Sequence, residues 1–308
     1  MTNKTLIWYM FAFVLLSSAR CTSRSSFSYS TSLHKFIGGR SLRLKPVLSA
    51  KLCTHTSTTE HVSNVDTECT TPITPVDYSH LKAKKTFKVR QHVNPLASAF
   101  QQPVVLEKNW LQRSFANMNP KEFIVDIGCA KGSWALTMCE NNPDINILGL
   151  EIRAPMVENC MIRKVKKGIQ NVHFLSCNAN VNVRNILSSI NEQGIKVNTI
   201  TIQFPDPQFK ERHKKRRLVN SIFVNDIASS ISKDTQIFLQ SDVEELILDM
   251  VSHFNNSIYF TPVNGYNIFN LHENISPFPI KTEREIATLA QTLPIYRMLF
   301  KRNDVEIV

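Results

Sequence analysis

Glycine is scarce, at 8 among 308 residues, so a glycine-built ligand loop has few places to sit. Cysteine is nearly as thin, with 7 in all and no CxxC pair. Four of these thiols, Cys129, Cys139, Cys160 and Cys177, are scattered through the body, which points to a reducing compartment without structural zinc. No apolar run suited to crossing a bilayer opens the chain: Leu6 to Leu16 gives eleven residues, against the roughly 20 that a spanning helix needs. Acids are missing altogether from residues 1–59, which carry eight Lys/Arg. What remains is ordinary globular composition, 43% hydrophobic and 20% charged, in a chain long enough to bury a substantial core.

The net charge of +11 is unevenly spread: +8 in residues 1–59, −4 in 60–80 and +7 in 81–308. Lys4, the apolar run and the small residues Ser17, Ser18 and Ala19 read as a signal peptide over 1–19. The acid-free, Ser/Thr-rich stretch 20–59 then has transit-peptide composition, and 60–80 reads as a linker to a globular body over 81–308. A signal followed by a transit segment is the two-part address of a plastid of the secondary type, an apicoplast for instance. Simple secretion and a mitochondrial presequence are the alternatives. No stable membrane association is expected after processing.

The body alternates short β-branched runs with helix-period segments. Strands are expected at 123–127, 146–150, 172–175, 199–204 and 236–239. Helices are expected at 133–141, 155–167, 183–191, 222–231 and 243–253. Such alternation implies right-handed crossovers and a parallel sheet covered on both faces, with ligands beyond the carboxyl ends of the strands.

The first strand runs into Asp126-Ile127-Gly128-Cys129-Ala130-Lys131-Gly132. This is GxxxG rather than GxGxxG, and an acid stands two residues before the first glycine, where it would oppose a pyrophosphate. A cationic ligand without phosphate suits it better, and S-adenosylmethionine is such a ligand. Gly128 and Gly132 would let the backbone approach it closely. Glu151 ends the second strand, where an acid can accept both ribose hydroxyls, and Asn178 with Ala179 follows the third, where an amide oxygen can accept from the adenine amine.

The fourth strand leads into Phe204-Pro205-Asp206-Pro207-Gln208, whose prolines stiffen the loop around one carboxylate. Next come Lys210, Arg212, Lys214, Lys215, Arg216 and Arg217, interrupted only by Glu211 and His213. Lys82, Lys84, Lys85, Lys88 and Arg90 form a second basic segment, and the rest of the body is slightly acidic. Concentrated positive charge on such a body points to a polyphosphate partner. Three readings share these features: an RNA methyltransferase, a small-molecule methyltransferase with an incidental charged face, and a non-catalytic RNA-binding module.

Several motifs together resemble the tRNA (guanine-N7-)-methyltransferase family in its bacterial and plastid-like form, over roughly 90–302. They are RQHVNPL (90–96), VDIGCAKG (125–132), LGLEIR (148–153), CNAN (177–180), QFPDP (203–207), KERHKKRR (210–217), LQSDVEE (239–245) and TERE…LPIYR (282–297). The resemblance implies an α/β fold: a doubly wound, mostly parallel seven-stranded, Rossmann-like sheet of the class I S-adenosylmethionine-dependent type. It implies methylation of the guanine at position 46 in the tRNA variable loop. By motif position, Asp126, Glu151 and Asn178 would bind the cofactor and Asp206 would be the catalytic carboxylate. Lys210, Asp242, Thr282 and Glu285 would contact the substrate, the rest of the basic run holding RNA phosphates. A monomer or homodimer with no obligatory partner subunit is expected. Two departures from the family pattern stand out: Gln208 where many members have Trp, and Asn178 where many bacterial members have Asp. The segment 282–291 reads either as a substrate-contacting edge or as an amphipathic helix packed on the core.

Overall fold

The computed structural model describes residues 89, 90 and 92–306. The expected signal, transit and linker segments, and Lys82, Lys84, Lys85 and Lys88, lie outside the described residues.

In chain order the elements are α1 (Trp110–Ser114), β1 (Glu122–Ile127), α2 (Ser133–Asn141), β2 (Ile145–Glu151), α3 (Ala154–Lys167), β3 (Val172–Ser176) and α4 (Ala179–Glu192). They continue with β4 (Thr199–Gln203), α5 (Ser221–Ser230), β5 (Gln236–Ser241), α6 (Glu244–Asn255), β6 (Phe260–Pro262), α7 (Glu283–Ala290) and β7 (Tyr296–Arg302). The strands form one seven-stranded sheet in the order β3-β2-β1-β4-β5-β7-β6. The first five are mutually parallel, and β7 runs antiparallel to both β5 and β6. The alternating pattern's five strands are thus parallel, and with β7 antiparallel the sheet is the mostly parallel seven-stranded one expected.

Each expected strand and helix is present, with ends shifted by a few residues. The largest shift is in α4, expected from Val183 and found from Ala179. Asn180 and Asn182 interrupt the apolar period there, but the Asn178 side chain caps the helix by accepting from the Asn180 N–H. At α3, Pro155 sits in the first turn, and Gly168 ends the helix in the left-handed conformation at φ 68°.

Strand pleating divides the core between the two faces of the sheet. Phe123, Val125 and Ile127 of β1 join the cluster built with α4, α5 and α6, while Ile124 joins α2 and α3 on the other side. Burial on both faces accounts for the near-continuous apolar runs in β1 and β2. The order of the strands reverses between β1 and β4, both of which neighbour each other at the centre. The loops after them diverge to opposite sides and open a crevice at their carboxyl ends.

Candidate functional site

That crevice is a cleft of about 600 Å³, bordered by Gly128, Glu151, Asn178, Asp206, Asp242 and Thr282. Each comes from a different strand end or helix start: the parallel strands bring together five residues far apart in sequence, and the start of α7 adds Thr282.

On the side of β1 and β2 two buried carboxylates stand at the strand ends. Asp126 is buried, and its carboxylate accepts from Thr201 Oγ1 of β4 at 2.7 Å. Burial pushes its pKa up to about 6, opposed by the hydrogen bonds from Thr201 and Gln203 and assisted by the charge of Glu151. It lies behind the lining rather than in it. Glu151 does line the cleft and is 4% exposed. Its Oε1 accepts from the Arg153 backbone N–H (3.0 Å) and Nε (2.8 Å), and its Oε2 from the Ala130 N–H (3.1 Å) and an Arg153 guanidinium nitrogen (2.9 Å). A carboxylate has about four acceptor positions, so these are full. Gly128 lines the cleft at φ 87°, a conformation costly for any residue with a Cβ. Gly132 does not line it. A Cβ there would stand 2.6 Å from the Phe174 ring and 2.9 Å from Cys160 Sγ, so this glycine serves packing behind the loop and not close approach of a ligand.

Asn178 and Ala179 line the next wall. The Asn178 oxygen caps α4, and its amide nitrogen donates to the Pro95 carbonyl at 3.0 Å. A strap carrying His92, Val93 and Pro95 thereby crosses the cleft.

Opposite stands the loop after β4. Phe204 and Gln208, on either side of the two prolines, hold left-handed backbone at φ 51° and 49°, a strain that persists only where surroundings impose it. The Phe204 N–H donates to the Gln240 carbonyl at 2.7 Å, and Arg217 Nε donates to the Pro207 carbonyl at 3.0 Å. Between these anchors Asp206 accepts three hydrogen bonds. They come from the Gln208 N–H (3.2 Å), Gln208 Nε2 (2.9 Å) and His92 Nδ1 (2.7 Å).

The start of α7 closes the rim. Thr282 and Glu285 form a reciprocal capping box. Glu283 accepts from Lys131 Nζ and Ser133 Oγ, each at 3.1 Å, and Arg284 Nε donates to Asp242 at 2.8 Å. The first turn of α7 is thus tied both to the loop after β1 and to the loop after β5.

The methyltransferase family model Methyltransf_4, described as "Putative methyltransferase", matches residues 120–298. A tRNA (guanine-N(7)-)-methyltransferase of Prochlorococcus marinus (strain NATL1A) is 40% identical over 219 residues, 70% of this chain and 98% of that protein. One from Trichormus variabilis is 41% identical over 216 residues, 70% of this chain and 96% of the relative. This chain belongs to the tRNA (guanine-N7-)-methyltransferase family. Among solved structures, the aminoglycoside resistance methyltransferase NpmB1 is similar with a TM-score of 0.44 at 14% identity, covering 64% of this chain and 94% of that one.

Membership in a tRNA (guanine-N7-)-methyltransferase family makes S-adenosylmethionine the methyl donor, and the cleft fits it. Glu151 pairs with Arg153 and Lys131 with Glu283, which leaves buried Asp126, behind the wall, as an acid with no cationic partner among the described residues. That uncompensated charge suits a cationic ligand.

The remaining sequence-predicted residues lie in different surroundings. Lys210, Arg212 and Lys215 are exposed. Lys214 pairs with Glu211 (2.8 Å) and Glu245 (2.9 Å). Arg216 reaches the cleft lining, its buried Nε without an acceptor among the described residues. Arg217 departs from the expectation of a phosphate contact: it is buried and paired with Glu245 (2.9 Å) and Asp249 (3.1 Å), so it braces the Asp206 loop. Glu285 also departs. It is 2% exposed, does not line the cleft, and pairs with Arg297 at 2.9 Å. Nor is α7 an amphipathic core helix, because its buried residues are Glu285 and Thr288 while Ile286 and Leu289 are exposed.

Sequence reasoning missed Arg153 and His92, although both lie inside quoted motifs. Their signal was residue type beside an acid, legible for Arg153 two positions after Glu151 and absent for His92, which meets Asp206 across 114 residues.

Proposed function

We propose that the family's reaction, methyl transfer to N7 of a tRNA guanine, runs in this cleft on the guanine at position 46 of the variable loop. The observation that carries the site assignment is the rigid Asp206 carboxylate facing buried Glu151 and the Gly128 turn across one cleft, with the basic turn 211–216 following it directly.

Glu151, Asn178 and the Gly128 backbone would hold the cofactor, with Asp126 acting on it through its charge from behind the lining, and the cofactor when bound supplies an electrophilic methyl group on a cationic sulfur. The ribose hydroxyls would take acceptor positions on Glu151 that Arg153 now fills. Guanine N7 has an exposed lone pair and no proton, so no general base is needed. Asp206 acts instead by accepting, through the remaining acceptor position on Oδ1, one hydrogen bond from the guanine N1–H or amino edge and by favouring the positive charge that grows on the base. Drawing the base from its tertiary pairing costs a few kcal/mol, which Lys210, Arg212, Lys215 and Arg216 offset through contacts to RNA phosphates. Thr282 and Asp242 border the substrate side.

Asp206→Ala is expected to abolish most turnover while leaving cofactor affinity near wild type. Substantial surviving activity would remove Asp206 from the reaction.

The leader composition supports import into a plastid of the secondary type by way of the secretory route. A fusion of residues 1–80 to a fluorescent protein is expected to reach that organelle, and mitochondrial or extracellular signal would contradict it. Among the described residues no helix is long and apolar enough to cross a membrane. A monomer or homodimer is expected by light scattering, without a second kind of subunit.

A further inference from the structure

Asp206 is held by donors of two origins. The Gln208 contacts are local, two residues away along the same loop. The third donor, His92, reaches Oδ2 from the strap, and that strap is tied at Pro95 to Asn178 on the cofactor side. Because a carboxylate only accepts, the hydrogen on this contact belongs to His92 Nδ1. The Asp206 side chain is about one-third exposed (34%), so packing alone does not fix its rotamer, and the His92 side chain is 61% exposed, so it contributes little to the core.

We propose that His92 is a positioning residue for methyl transfer: its Nδ1–H holds the Asp206 carboxylate in the orientation that receives guanine. The inference rests on the reading of Asp206 as the guanine-contacting group. It also gives Gln208 a place, since its side-chain amide shares Oδ2 with His92. Two donors from separate segments define the plane of the carboxylate, leaving acceptor capacity on Oδ1, which takes only the Gln208 backbone N–H. Running from Asn178 to Asp206, the strap sets the distance between the cofactor wall and the guanine-binding carboxylate. Misplacing a reacting group by about 1 Å costs roughly 100-fold in rate, so loss of His92 should appear in the chemical step and not in binding.

The test uses the full chain in single-turnover methylation of unmodified tRNA at saturating cofactor, with tRNA and cofactor affinities measured separately. His92→Leu is expected to slow the single-turnover rate by roughly 10- to 100-fold with both affinities and thermal stability unchanged. His92→Asn, whose amide nitrogen can stand where Nδ1 stood, is expected to restore most of the rate. In an Asp206→Asn background, His92→Leu should add nothing further, as residues acting through one contact are non-additive. The proposal is overturned if His92→Leu turns over at the wild-type rate, if its defect lies wholly in tRNA or cofactor affinity, or if His92→Asn is as slow as His92→Leu. Should Asp206→Asn itself run near the wild-type rate, the reading of Asp206 fails. Should Asp206→Asn be inactive while His92→Leu keeps the wild-type rate, the His92 assignment alone falls.

Discussion

At the scale of single residues, the acids at strand ends divide by environment. Asp126 has its pKa pushed up to about 6 by burial. A cationic ligand binds its charged form, so cofactor affinity should be level above that pH. Below it, affinity should decline as the carboxyl protonates, by at most about tenfold per pH unit. The same shift means that the folded protein without cofactor gains nothing from this charge: the stability cost of the buried carboxylate builds as pH rises from the usual carboxyl range to about 6 and is full above it. Asp126→Asn should therefore raise the melting temperature at pH 7.5 and flatten the pH dependence of cofactor affinity. Titration calorimetry from pH 5 to 8 on both proteins checks this, and an unchanged profile in Asp126→Asn would assign the dependence elsewhere. Asp126, Glu151, Asn178 and Asp206 were legible in the sequence because each follows or ends a short apolar run, and parallel sheets gather such positions along one edge. Arg153, His92 and Gln208 were not, because their roles depend on contacts made by side chains after folding. Gln208 appeared only as a departure from a family pattern, whereas in the structure its amide holds the Asp206 carboxylate at 2.9 Å.

At the scale of elements, the basic run 210–217 is not a single unit. Charge density suggested a uniform grip on phosphates, yet the six cations differ in burial. Lys210→Ala and Arg212→Ala should weaken tRNA binding and each reduce the slope of log affinity against log salt by about 1. Arg217→Leu should behave differently. Its guanidinium ties the Pro207 carbonyl to α6 through Glu245 and Asp249. Because those acids are half-exposed, its loss should cost about 1–3 kcal/mol of stability, with turnover falling and the salt slope unchanged. Thermal melts and salt titrations of the three variants separate the two classes, and a reduced slope in Arg217→Leu would return it to the RNA contacts. Helix α7 shows why hydrophobic period misleads here. Its polar face is the buried one, since Glu285 meets Arg297 and Gln240 in an enclosed network while Ile286 and Leu289 face outward. Strand β7 escaped the alternating pattern for a related reason: it returns antiparallel after a long connection, so no following helix marks it.

At the scale of the whole molecule, the fold places a cationic-ligand site, a rigid carboxylate and a basic turn along one sheet edge. Its buried thiols support packing over reactivity, with Cys139, Cys160 and Cys177 each pushed up to about 12 by burial. The chain's charge is asymmetric, with an acid-free stretch over residues 1–59, on which the proposed organelle import rests, and localised positive charge in the body. The most direct measurement is incubation of the purified protein with labelled S-adenosylmethionine and unmodified tRNA, followed by borohydride reduction and aniline cleavage to locate N7-methylguanine. Label incorporated with a single cleavage at position 46 of the variable loop is the result this account predicts. Unlabelled tRNA, or label without aniline-sensitive cleavage at that guanine, would contradict it.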